Sequence, residues 1–463
     1  MIISYVALFI LGLICIGLQL LSIRSRVHPA VGNNPIFLKF QYVYFAAYFP
    51  ALLADWLQGP YLYRLYSHYE FDEFQIAVIY SCGFASTVLL GTWAPIAADR
   101  FGRRKLCVFF TVIYSVACFM KLSRSYGVLI IARVLSGVST SLLFYAFEAW
   151  YVHEHLESND FPKEWIPVTF AKATVWNGVL AIIAGVVANV IAEWLHAGPV
   201  APFILAVPCL LISGIVVMAK WDENYGKRNA HFKRSMTDGL KCILSDQRIF
   251  LIGVIQSLFE SVMYIFVFLW TPVLSKSDPP YGVVFACFMV CIMIGSAVFH
   301  VLASKRVPVV SLLAGAVLLS SISVIICVFS THPADPKRSV SFLAFLLMEI
   351  GVGIYFPAMG FVRMKIIPEQ HTISVVSWFR VPLNLIACCV LMIIHDHEFK
   401  SGNRIIFVTC AFLLAVAMLC LLRFSALVKN NQSPPETVEM QPVAATETAQ
   451  NLQLVNQVPL YNT

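Results

Sequence analysis

Seven ionisable residues fall deep inside long apolar stretches of this chain: Asp55, Arg133, Glu148, Lys172, Glu260, Glu349 and Arg380. A charge in hydrocarbon costs several kcal/mol, so such residues face a bundle interior or a wet cavity. Two of them share a local pattern. Lys172 lies in F-A-K-A-T-V-W-N (170–177) and Arg380 in W-F-R-V-P-L-N (378–384). Each cation follows an aromatic by one or two residues and precedes an asparagine, Asn177 or Asn384, by four or five. Two facing cations with amide donors beside them would make an anion clamp. Pro382 cannot donate to the carbonyl of Trp378, which loosens the backbone beside Arg380. A second reading stays open, in which both cations pair with the four buried carboxylates as structural ties. Asp55 and Glu260 read in the same two ways, as proton acceptors or exchangeable partners of the cations, or as fixed ion-pair members. Glu349 reads as a partner for a cation. His153 and His155 in Y-V-H-E-H have no third ligand nearby, so no metal site is expected.

The elements that must position these groups are membrane helices. The chain has 463 residues, 59% hydrophobic and 12% charged, and a soluble protein carries roughly twice that charged share. Apolar stretches of about 20 residues, each able to cross ~30 Å of hydrocarbon, recur from end to end. Thirteen are expected: a leading one at 2–22, then 38–65, 73–97, 106–122, 127–152, 166–192, 200–219, 249–273, 282–302, 308–329, 340–361, 372–394 and 405–423. The leading stretch lacks a basic n-region and a small-residue cleavage site, so it reads as an anchor rather than a signal peptide. The expected organisation is 1–36 leading helix and loop, 37–219 first six-helix half, 220–248 cytoplasmic linker, 249–425 second half, and 426–463 a disordered cytoplasmic tail. The 13 cysteines sit almost wholly in apolar stretches and form no C-x-x-C, so neither a disulfide framework nor a metal motif is implied.

Lys and Arg fix an orientation. With the N-terminus outside, inner loops and tail hold twenty Lys and Arg, and outer loops hold seven: Lys121, Arg124, Lys276, Lys337, Arg338, Lys400 and Arg404. The C-terminus is therefore expected in the cytoplasm. The net charge of +7 follows this loop bias and gives no sign of a nucleic-acid partner; the partner is the lipid bilayer. Counted after the leading stretch, the third, sixth, ninth and twelfth carry no interior charge. Under a six-plus-six repeat, equivalent helices occupy equivalent places, so these four read as a lipid-facing scaffold around a polar centre. Lys172 and Arg380 fall on equivalent helices and would face each other across that centre.

The segment after the second core stretch reads D-R-F-G-R-R-K (99–105). It resembles the major facilitator signature G-x-x-x-D-R/K-x-G-R-R/K, with Pro95 where the family usually has Gly. Asp99 and Arg103 can form a charge tie across the cytoplasmic face, and Gly102 permits a tight turn. The second signature of the superfamily, R-x-x-x-G on the fourth helix, is matched by Arg133 and Gly137, while its counterpart A-S-K-R (303–306) is degenerate. A closer resemblance spans about 37–425. The segments A-D-W-L-Q-G-P-Y-L-Y (54–63), F-E-A-W-Y-V-H-E-H (147–155), G-P-V-A-P-F (198–203), F-E-S-V-M-Y-I-F-V-F-L-W-T-P-V-L (259–274) and W-F-R-V-P-L (378–383) resemble the molybdate-anion transporter subfamily. That resemblance implies an all-α bundle of two six-helix halves and uptake of molybdate, a small inorganic anion, across the plasma membrane. The leading helix departs from the usual twelve. No G-x-x-x-x-G-K-[S/T], nucleophile elbow or H-E-x-x-H occurs, so neither ATP nor a catalytic site or cofactor is expected. Transport would run on the solute's own gradient or a coupled ion. Lys172, Arg380, Asn177 and Asn384 are the expected substrate contacts. Asp55, Glu148, Glu260, Arg133, Asp99, Gly102 and Arg103 are the expected gating or charge-coupling residues. The alternatives from other classes are a solute-sensing receptor and a non-transporting membrane partner.

Overall fold

Apolar side chains at helical spacing leave no unsatisfied backbone in lipid only if the chain is helical, and the computed structural model follows that rule. It describes residues 2–24, 34–91, 93–226, 232–275, 277–332, 335–392 and 402–430, and no strand occurs among them. Sixteen α-helices run in order. The first half and its leader comprise α1 (Ile2–Arg24), α2 (Pro35–Gln58), α3 (Leu62–His68), α4 (Glu73–Gly91), α5 (Ala94–Phe101), α6 (Arg103–Met120), α7 (Tyr126–His153), α8 (Ile166–Asn189) and α9 (Ala201–Lys220). Then follow α10 (Phe232–Ser245), α11 (Gln247–Ser275), α12 (Tyr281–Ser304), α13 (Val309–Ser330), α14 (Arg338–Ile366), α15 (Thr372–Met392) and α16 (Gly402–Asn430). Eleven spans among the described residues are long and apolar enough to cross a membrane. The expected tail beyond Asn430 and part of the first loop lie outside the described residues.

Local chemistry sets the breaks. The expected continuous helix 38–65 is interrupted by a 3-10 turn at Gly59–Tyr61, where Pro60 has no N–H to donate. The D-R-F part of the signature is helical rather than loop: it ends α5, and Gly102 (φ 101) is the only residue before α6. The linker holds a helix not expected from hydropathy, α10, whose four Lys, Arg or Asp residues at 233, 234, 238 and 241 kept it below the apolar pattern. Asp246 then caps α11 by accepting from the Arg248 backbone N–H at 2.8 Å. Its carboxyl is held below the usual range by the Arg248 side chain, 2.7 Å away.

The chain alternates between two ends of the bundle. The linker end carries Gly102, α10 and the starts of α2 and α11; the far end carries α3 and the starts of α4 and α12. Helices α2, α4, α6, α7, α8 and α9 pack into one half, and α11 to α16 into the other. The halves meet where α8 packs on α12 and α4 on α15, pairs that a two-fold repeat exchanges. The charge-free helices face outward, with apolar rows at Phe109, Val112 and Val116 on α6, Leu211, Ile212 and Ile215 on α9, Leu318, Ile322 and Ile325 on α13, and Phe412 and Leu419 on α16. The leading helix packs on α12 of the second half, through Cys15 against Val290 and Ile294, and Gln19 donates to the Met293 carbonyl at 3.3 Å.

Candidate functional site

The buried charges fall into separate groups rather than one cluster. Toward the far end of the first half, Tyr114 donates to Asp55 Oδ1 at 2.6 Å, and both are buried. Beside them Lys121, expected in an outer loop, is 1% exposed: its amine donates to Gln58 Oε1 at 2.6 Å and lies 4.8 Å over the Phe203 ring. Its apolar stem and that acceptor draw it inward. Arg133 on α7 lies 4.8 Å over Tyr80, and Gly83 gives it room, since a Cβ there would stand 2.7 Å from its Nε. Gly137, one turn on, allows α7 to approach the Gly83 carbonyl of α4, which a Cβ would meet at 2.9 Å.

Toward the linker end of the same half, Lys172 is exposed and donates to Gln41 Oε1 at 2.9 Å. Gln41 in turn donates to Thr169 Oγ1 at 2.6 Å, and the Thr169 and Tyr151 hydroxyls are 2.5 Å apart. His155 is fully buried between Tyr151 and the Pro162 carbonyl, which gives that histidine a packing role. Asn177 accepts from Trp56 Nε1 at 2.7 Å, tying α8 to α2. Glu148 is buried near Tyr44.

The second half holds the densest group. Arg363, 1% exposed on α14, donates to Gln256 Oε1 of α11 at 2.8 Å. Arg363 lies beyond the expected stretch 340–361, but α14 continues to Ile366 and carries it inside. Glu260, one turn beyond Gln256, accepts from Tyr355 at 3.2 Å and lies in the fields of Arg363 and Arg380. Ser257 donates to the Phe379 carbonyl at 3.0 Å, which sets the height of Arg380 on α15. Asn384 donates to the Arg380 carbonyl at 2.8 Å, so its amide serves its own helix. Glu349 is buried elsewhere on α14, near Cys291. Lys172 and Arg380 stand on α8 and α15, each helix packed on the opposite half, but among the described residues each engages its own half.

At the linker end Asp99 and Arg103 pair at 3.0 Å, one turn apart and across Gly102. The tie is local to this corner. The linker residues cover it: Glu223 caps α6 by accepting from the Arg104 and Lys105 N–H groups at 3.0 and 3.3 Å. Asn224 donates to Glu154 at 2.8 Å, and Trp221 stacks on Trp150 at 3.7 Å. At the far end the halves are closed against each other. Tyr63 and Tyr80 each meet Phe268 edge-on at 5.3 Å, and Phe84 stacks on Tyr264 at 4.7 Å. Gly185 of α8 and Gly282 of α12 bring two backbones into contact.

Two six-helix halves that meet face to face and close against each other at the far end have the architecture of a membrane transporter of the alternating-access class. The family model for sugar transporters with 12 TM helices matches residues 4–352. A molybdate-anion transporter of Xenopus laevis is 47% identical over 430 residues, 92% of this chain and 95% of that protein. Those of Xenopus tropicalis and Danio rerio are 50% and 44% identical, over 88% and 92% of this chain. The solved nucleoside transporter NupG has the same fold, with a TM-score of 0.65 at 12% identity over 85% of this chain and 99% of that one. The chain belongs to the molybdate-anion transporter family of the major facilitator superfamily.

Proposed function

We propose that this protein is a secondary transporter that carries a small tetrahedral oxyanion, molybdate foremost, into the cell across the plasma membrane. The observation that carries the reading is the local group on α11, α14 and α15, where two guanidinium groups, Arg363 and Arg380, act on the carboxylate of Glu260 while Glu349 lies elsewhere on α14. Like charges buried together are unfavourable without an anion between them. Planar guanidinium forks match the paired oxygens of an oxyanion. Lys172, exposed on α8, is the cation of the other half that completes the clamp when the linker end closes, with Asn177 and Asn384 flanking it. Asp55, Glu148 and Arg133 balance charge between steps, and the Asp99–Gly102–Arg103 corner controls exchange between conformations. The names of the relatives supply the choice of molybdate.

The test is oxyanion uptake by Lys172→Ala and Arg380→Ala variants, normalised to surface protein. Loss of uptake is expected from each, and Arg380→Lys should weaken affinity without abolishing it. Uptake within about threefold of wild type, under ~1 kcal/mol, would remove both residues from the site. The orientation proposed has the N-terminus extracellular and the C-terminus cytoplasmic, following the loop charges. Epitope tags at both ends, stained before and after permeabilisation, check it; a C-terminal tag reachable in intact cells contradicts it.

A further inference from the structure

We propose that Arg363 is a further anion-binding residue and that Glu260 is the internal counter-anion it exchanges for substrate, so that each oxyanion bound brings one proton onto Glu260. The inference rests on the anion-transport reading above. Its geometry is local to α11, α14 and α15. Arg363 is buried and fixed by Gln256, and Glu260 is 1% exposed and held at Oε1 by the Tyr355 hydroxyl. Tyr355 is itself immobilised, stacked on Phe259 at 3.9 Å. The second carboxylate oxygen of Glu260, Oε2, is buried with no hydrogen-bond partner among the described residues. A carboxylate held only by neutral side chains, Tyr355 and Gln256, and otherwise relying on two nearby cations is a group an anion can replace.

Charge balance gives the proton. Arg363 and Arg380 with ionised Glu260 leave one positive charge. A dianion added to that set would leave one negative charge in a buried space. A dianion with Glu260 protonated leaves none. The exchange proceeds as the oxyanion takes the two guanidinium groups, Glu260 loses its counter-charges, and a hydronium ion entering with the anion places its proton on the carboxylate, releasing water. Among the described residues the groups acting on Glu260 are Arg363 and Tyr355 of α14, Arg380 of α15 and Gln256 of its own helix. Helices α3, α10 and α16 also pack on α11, and their described side chains place no further charge on Glu260.

The experiment is equilibrium binding of radiolabelled molybdate to purified protein in lipid nanodiscs across a pH series. One linked proton predicts that wild-type affinity rises as pH falls, by up to about tenfold per unit. Glu260→Gln, an uncharged isostere, should bind as tightly as wild type does at the lowest pH and show no slope. Arg363→Lys should weaken binding at every pH while keeping the slope. A second measurement needs no variant: molybdate added to weakly buffered wild-type protein, above the pH where the free anion protonates, should take up about one proton per site. A flat wild-type profile without proton uptake, or a Glu260→Gln variant keeping the wild-type slope, overturns the inference and leaves anion binding intact. Absence of wild-type binding at any pH instead overturns the transport reading, and the inference with it.

Discussion

Gly282→Ala should open the far end. The new Cβ on α12 would stand 2.7 Å from Asn189 Cβ and 2.8 Å from Asn189 N, and within contact of the Gly185 carbonyl. All three belong to α8, and two are backbone atoms, so relief requires the two helices to part. Overpacking of this kind costs about 1–3 kcal/mol. The cost falls on the far-end-closed conformation alone, because these helices separate when that end opens. It therefore shifts the equilibrium between conformations by roughly 5–150-fold. Phe268, 1% exposed between Tyr63 and Tyr80, reports the change. With Phe268→Cys as probe, reaction with a membrane-impermeant maleimide, measured over the native thiols, should quicken at least about fivefold when Gly282→Ala is added. Unchanged labelling together with a lowered unfolding temperature would refute the reasoning and reduce the glycine pair to packing.

Two further outcomes follow from the ties described above. Lys121→Met keeps the stem but leaves Gln58 Oε1 buried without its donor, which should cost about 1–3 kcal/mol and lower the unfolding temperature in detergent; adding Gln58→Leu should recover part of the loss, and additive losses would contradict the pairing. Asp99→Asn removes a partly buried pair worth about 1 kcal/mol or less, so transport should slow by up to about fivefold while equilibrium anion binding stays unchanged, and a loss of binding at normal protein level would contradict a gating role.

A helix stands at each of the thirteen expected stretches, and eleven of them are long and apolar enough to cross a membrane among the described residues, because twenty-residue apolar runs have few other uses. The charge-free helices α6, α9, α13 and α16 were legible as the outer scaffold for a related reason: charge is excluded from surfaces that meet lipid. What failed were residues at the margins. Lys121 stands one residue from the end of its expected stretch and Arg363 two residues past the end of its own, where a cation reads as loop, yet each is 1% exposed. Moving them inside takes one charge from each side of the loop count and leaves its bias. Nothing local announced α10, whose face against α15 is stabilised by tertiary contact such as the Trp378 Nε1 bond to the Met236 carbonyl at 2.9 Å. The partners of Lys172 and Arg380 were also out of reach. Their repeat-equivalence is a property of spacing, whereas Gln41 and Glu260 become neighbours only through packing distant in sequence.

The measurement that tests the central claim most directly is flux. Purified protein in proteoliposomes, given an anion gradient and labelled molybdate, should show saturable uptake that excess unlabelled molybdate suppresses and that Arg380→Ala abolishes. Flux no greater than in protein-free liposomes, from protein that is folded and correctly inserted, would contradict it.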